Sequence, residues 1–200
     1  FNGGIIMGIY WANNSSVKQA RPAGNLILSS TNIDAGNTSA YNFTGIPSDA
    51  AVVTLIFKDF SCSGNSSGSR LHMRVGNGSV DSSSKYSWCC DNRYNSTGQN
   101  EGSRNDDQFR ILHSTHTSAG HIENGFIRLT RATTGSASSA GGWFIHAVFG
   151  DHENEVIFNT MGRYQSAGPI DRVYIWNPSG VNFDENCFVH VSYETGDGHN

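Results

Sequence analysis

Lysine is nearly missing from this chain of 200 residues: only Lys18, Lys58 and Lys85 occur, and leucine appears at just six positions. Both are strong helix formers, so their scarcity argues against a helical bundle, a coiled coil or an α/β nucleotide-binding enzyme. Charge is also thin, at 15% of residues with a net of -4. The chain is therefore no highly charged disordered segment, and it lacks the basic balance that nucleic-acid binding requires. No apolar run approaches the roughly 18 residues of a membrane-spanning helix, so membrane insertion is not expected. Proline is confined to Pro22, Pro47, Pro169 and Pro178, all between apolar runs, as sheet-forming chains require. The four cysteines, Cys62, Cys89, Cys90 and Cys187, contain no C-x-x-C pair, which weakens a zinc-ribbon reading. A nucleophile elbow, a P-loop and an H-E-x-x-H helix are all lacking, so nothing speaks positively for an enzyme and no cofactor is expected. The opening Phe1–Ile5 has neither Met nor a basic region, the pattern of a processed chain or a piece of a longer one.

What the chain does contain is glycine, 23 residues of it, with abundant Ser and Asn between short runs of β-branched and aromatic residues. Such runs recur at 5–11, 25–29, 51–60, 70–75, 86–90, 108–113, 125–131, 142–149, 155–158, 170–176 and 187–193. In the third, Val53, Leu55 and Phe57 share one face while Thr54 and Lys58 take the other. In the fourth, Leu71, Met73 and Val75 point inward and His72 and Arg74 outward. Ten or eleven strands with turn signals between them predict an all-β protein, a jelly-roll-like antiparallel β-sandwich with long polar loops. Residues 1–42 would supply N-terminal strands leading into or joining the sandwich, and 43–200 the sandwich itself, one domain overall. Three stretches read as loops: 61–69, 91–107 and 133–142. The second, at 17 residues, exceeds ordinary connection lengths and so reads as functional or mobile.

His113, His116 and His121 are the one histidine cluster, but the odd separation of the first two puts them on opposite faces of a strand, so no metal is expected. The acidic groups Asp106–Asp107, Asp184–Glu185 and Asp151, Glu153, Glu155 lack calcium-loop spacing and read as surface turns. Cys89 and Cys90 read as thiols alternating across a strand, with a disulfide to Cys62 or Cys187 as the alternative. Seven N-x-[ST] sequons, at Asn13, Asn14, Asn37, Asn42, Asn65, Asn77 and Asn95, follow mainly from composition. The long loop is more productive. Sugar binding pairs aromatic faces with Asn, Asp and Arg hydrogen bonds, and Tyr86, Asn92, Arg93, Tyr94, Asp106 and Asp107 lie in or beside it. Trp88, in the same stretch, reads as a core residue of a short strand, and Tyr94 as the aromatic most open to solvent.

The order of the runs resembles a known family. Phe43-Thr44-Gly45-Ile46-Pro47, the run from Val52 to Phe60, the Ser/Gly turn and Leu71–Gly76 are similar to a β-sandwich domain of tail-fibre and virion-surface proteins in marine, cyanophage-type bacteriophages. Gly125–Leu129, Gly168–Ile175 with its apolar-Asp-Arg-Val pattern, and Phe183-Asp184 followed by Phe188–Glu194 extend the resemblance over roughly residues 43–194. Glu185-Asn186, the 91–107 stretch and Cys89-Cys90 depart from the pattern. The resemblance implies a non-enzymatic virion structural protein on the particle surface, a homotrimer that touches other virion proteins and a host-surface glycan or protein. Two other readings stand beside it. One is a capsid decoration or adaptor with no receptor role, which predicts an apolar patch at subunit contacts. The other is a secreted carbohydrate-binding protein or polysaccharide-degrading enzyme.

Overall fold

Alternation in the apolar runs becomes thirteen β-strands in the computed structural model, which describes residues 26–32, 38–62, 71–94, 97–112, 123–132, 141–151, 156–166, 168–184 and 187–195. The strands are β1 (Leu26–Asn32), β2 (Ala40–Thr44), β3 (Ala50–Phe60), β4 (Leu71–Asn77), β5 (Ser79–Val80), β6 (Tyr86–Tyr94), β7 (Thr97–Asp106), β8 (Phe109–Leu112), β9 (Glu123–Ala132), β10 (Gly142–Asp151), β11 (Val156–Tyr164), β12 (Arg172–Trp176) and β13 (Phe188–Thr195). All pairings are antiparallel. Eight strands form one sheet in the order β1-β13-β3-β9-β10-β11-β6-β7. The other sheet runs β2-β12-β4-β5, with β8 on the free part of β4. The protein is thus an all-β, antiparallel β-sandwich. The strands β1 and β2, which precede or straddle residue 43, pair with β13 and β12, one in each sheet.

One face of each sheet is apolar and the two apolar faces meet. The large sheet contributes Val53, Leu55 and Phe57 of β3, Ile127 and Leu129 of β9, and Trp143, Ile145, Ala147 and Phe149 of β10, all buried. The small sheet answers with Leu71, Met73 and Val75, Val173 and Ile175, and Phe109, Ile111 and Leu112. Phe57, Phe60, Phe149 and Phe183 pack ring against ring at centroid distances of 5.1 to 6.4 Å. Gly162 is on the inner side of β11, where a Cβ would lie 2.8 Å from the Phe109 ring and 2.9 Å from Ile145. The missing side chain is what lets β8 approach the large sheet.

The Asp171-Arg172 pair, part of the resemblance, has a structural explanation. Asp171 Oδ2 accepts the amide of Gly78, which has a φ of 75° in the β4–β5 turn, while the Asp171 carbonyl accepts the amide of Ile46 in the β2–β3 turn. Both carboxylate oxygens accept from the Arg172 guanidinium at 2.7 and 2.9 Å, and this bidentate contact, with the Gly78 amide, holds the carboxyl below its usual range. Three segments of the small sheet are pinned by one residue.

Several expectations need correction. The stretch 91–107 is no loop: it is most of the hairpin β6–β7, and β7 is the edge strand of the large sheet. An edge strand lying beyond the opposite sheet has no core face to fill, so its sequence shows no apolar alternation. Asp151 is not on a surface turn. It is buried at the end of β10, directly opposite the equally buried Glu123 of β9. His72 points away from the core as predicted, yet is buried because Trp176 covers it edge-on at 5.4 Å. Cys90 is buried and Cys89 exposed, alternating as expected, and none of the four cysteines is in a disulfide. The 5–11 run, His113, His116 and His121, Glu153 and Glu155, most of 61–69 and 133–142, and sequons other than those at Asn42 and Asn77 lie outside the described residues.

Candidate functional site: the outer face of the large sheet

The near-continuous apolar run 142–149 becomes β10, with Trp143, Ile145, Ala147 and Phe149 in the core and Phe144, His146 and Val148 on the opposite face. A strand apolar on both faces fits a sheet covered on both sides. Among the described strands none packs against the second face. Ile56, Phe144, Ile157 and Met161 are the most exposed large hydrophobic side chains among the described residues, at 48, 48, 57 and 52%, and all four belong to this outer face. Strand register sets them in rows. Ile56, Phe126, Val148, Asn159 and Asp91 follow one another across β3, β9, β10, β11 and β6, and Arg128, His146, Met161 and Cys89 form the next row.

Polar groups on this face are tied down. His146 Nε2 lies 3.1 Å from Asn159 Oδ1, and the imidazole meets the Phe126 ring edge-on at 5.7 Å. Arg128 reaches Glu194 at 3.5 Å, and Arg93 reaches Asp91 at 3.2 Å. Beside Phe144, between β10–β11 and the β6–β7 hairpin, the face dips into a shallow recess of about 340 Å³. Phe144, Met161 and Cys89 line it, together with Ser87, Arg104 and Arg163, and no acidic residue does. Arg163 donates through Nη2 to the Gly141 carbonyl at 3.1 Å, with its guanidinium 6.0 Å from the Phe144 ring centroid. The result is apolar ring surface beside guanidinium donors, one of them held in place, which is chemistry that sugar rings engage.

The residues proposed from sequence do not form one site. Tyr86 is wholly buried. Its hydroxyl donates to the carbonyl of Asp81 at 2.7 Å and its ring packs edge-on against Phe109, so it is a core residue. Asn92 is buried on the inner side of β6, where its Oδ1 accepts the Cys90 thiol at 2.9 Å. Burial pushes that thiol up to about 11, although a Thr160 hydrogen bond opposes the shift. Arg93 is exposed on the outer face. Tyr94 pairs with Thr97 at the hairpin tip, and its side chain lies outside the described residues. Asp106 accepts the Trp88 indole N–H at 2.9 Å and faces Arg110 at 3.6 Å. Burial works to raise its pKa, but the Trp88 and Asp107 hydrogen bonds and the Arg110 charge outweigh it and hold the carboxyl low. Asp107 pairs with Arg74, which in turn sits 4.8 Å above the Trp176 ring. Tyr174 stacks on Trp176 at 5.2 Å, so the aromatic group of the small sheet packs on its own neighbours and is only half-exposed.

A second hollow, of about 400 Å³, is lined by Asn77, Asp81, Ser83 and Tyr164 among others. Its carboxylate is committed. Asp81 accepts from Tyr164 at 2.6 Å, from Lys85 at 2.9 Å and from Ser83, and these bonds overcome burial to depress its pKa. It serves to tie the β5–β6 connection to β11. Phe144, Met161, Arg104 and Arg163 were not proposed from sequence. The legible signal was the run 142–149, too apolar for a strand with one wet face.

No family model matches the chain, and no curated protein does. Among solved structures it is similar to the marine PL-14 alginate lyase from Aplysia kurodai, at 10% identity over 75% of this chain and 70% of that one, with a TM-score of 0.34. A likeness that faint carries no argument about activity, and the sandwich rests on its own strand pairings.

Proposed function

We propose that this chain is a non-enzymatic attachment module that holds a surface polysaccharide on the outer face of its large sheet, in the virion-fibre setting its sequence resembles. The observation that carries the reading is that exposed Phe144 and Met161 line a recess with Arg104 and Arg163, on the same face as exposed Ile157 and Ile56. Phe144 and Met161 are exposed side by side at the recess, and apolar surface grouped in this way beside polar groups is what contacts with sugar rings use. Single contacts of this kind are weak. A homotrimer presenting three such faces would gain by avidity without any new contact. The test is retardation in native gels cast with a panel of neutral and acidic polysaccharides. Wild-type protein is expected to be retained by at least one polymer, with F144A losing roughly tenfold in affinity. Retention by none, or equal retention of F144A, would remove the reading. Shortening of any polymer during incubation would overturn its non-enzymatic part.

A second reading draws on the other half of the same face. Ile56, Phe126 and Val148 form a contiguous apolar row away from the recess. In the decoration or adaptor reading that row is a subunit contact and no glycan is bound.

A further inference from the structure

We infer that the recess beside Phe144 selects acidic polysaccharides, the guanidinium groups of Arg104 and Arg163 taking a carboxylate or sulfate of the sugar while Phe144 and Met161 lie along its ring. The inference rests on the glycan reading above and names the polymer class for that site.

Charge distribution is the first ground. The chain as a whole is acidic, with a net of -4, yet the recess is lined by two arginines and by no Asp or Glu. Arg93 and Arg128, elsewhere on the face, do not line the recess. Arg93 lies against Asp91 and Arg128 against Glu194, so each has a carboxylate within 3.5 Å. The second ground is ordering. Arg163 is held by the Gly141 carbonyl and the Phe144 ring, so part of the entropy cost of fixing a long side chain is already met before a ligand arrives. The exposed Arg104 offers a planar guanidinium fork that matches the paired oxygens of a carboxylate or sulfate, while Arg163, with Nε buried and Nη2 on Gly141, adds its positive charge beside it. The third ground is shape. The recess is shallow and lies open on a sheet face, which suits one residue of a long polymer better than an enclosed small molecule. Arg93 lies four residues along β6 from Cys89, about 13 Å at strand rise, so it serves as a charge control on the same face.

The experiment measures binding of the full chain to polygalacturonate (carboxylate), dextran sulfate (sulfate) and dextran (neutral) at fixed ionic strength. Wild-type protein is expected to bind one or both acidic polymers at least tenfold more tightly than dextran. R104A and R163A should each weaken acidic binding by about tenfold, R93A by less than twofold, and the two acidic arms identify which anion is preferred. Circular-dichroism melts establish that the variants fold; should R163A fail, R104A and R163K carry the test. Equal binding of dextran and the acidic polymers, with F144A defective on all, would overturn the acidic preference while leaving the glycan reading intact. Loss in R93A as large as in R163A would overturn it too, as bulk attraction. Binding of no polymer would overturn both readings.

Discussion

Glu123 is buried in the large sheet with neither carboxylate oxygen hydrogen-bonded among the described residues, directly opposite Asp151. Burial, reinforced by the Asp151 charge, raises its pKa well above the ordinary value of 4.5. The sign of the linkage follows. Between the unfolded and the folded pKa the native state holds a proton that the unfolded chain has released. Stability is therefore fully present below about pH 4.5 and declines as pH rises toward the folded value. Glu123→Gln keeps the shape and removes the ionisation. Melting temperature measured from pH 5 to pH 9 should fall with rising pH in the wild type and fall distinctly less in E123Q. Parallel curves for the two proteins would mean that Glu123 does not control the slope. Sequence offered no warning of this pair, because Glu123 and Asp151 are 28 positions apart and meet only through the register of β9 with β10.

At the level of elements, the β6–β7 hairpin decides how the proposed residues are distributed. Its outer strand is fastened at the base by Asp106, which accepts the Trp88 indole and faces the Arg110 guanidinium, itself 5.4 Å from the Trp88 ring centroid. Asp106→Ala leaves a buried indole N–H without its acceptor and is expected to cost about 1–3 kcal/mol in urea denaturation. D106N, which retains an acceptor oxygen, should recover a good part. A D106A variant as stable as wild type would show that the hairpin is held by its backbone ladder alone. Strands that put one face on the core were legible in sequence: β3, β4, β9, β10 and β13 follow the alternation of Val53/Leu55/Phe57, Leu71/Met73/Val75 and their counterparts. The edge strand β7 was not, since Gly98, Asn100 and Gly102 have no core to face. Of the candidate site only the doubly apolar run 142–149 was legible. Of the residues grouped from sequence, Tyr86 and Asn92 fall on the inner side of β6 while Arg93 falls on the outer. A register that alternates by one residue separates neighbours in sequence onto opposite faces, so residues grouped by proximity along the chain cannot be assumed to share a site.

For the whole molecule, the unequal sheets matter most. Eight strands against five leave a broad outer surface, and it carries apolar side chains in two places: Ile56, Phe126 and Val148 on the β3–β10 side, and Phe144 with Met161 beside the hairpin. Monomeric proteins seldom leave such surface unpartnered. The two halves differ in their polar company: no carboxylate lines the recess with Arg104 and Arg163, whereas the Ile56 row is flanked by His146, which meets Phe126, and by Arg128, which pairs with Glu194. Under the attachment reading proposed above the two would divide the labour: subunit contact through the Ile56 row, glycan contact through the recess. It predicts that light scattering of the native chain gives about three times 21.7 kDa. It also predicts that Ile56→Asp shifts the population to monomer without abolishing binding to an immobilised polymer, though avidity falls. Phe144→Ala should do the reverse, sparing assembly and losing binding. A clean monomer in the wild type would remove the autonomous trimer and leave a module that gains its valency only when several copies are arrayed on a larger particle. If I56D instead lost both assembly and every trace of polymer binding while F144A lost neither, the Ile56 row would be the binding surface itself, and the recess would have no part in it.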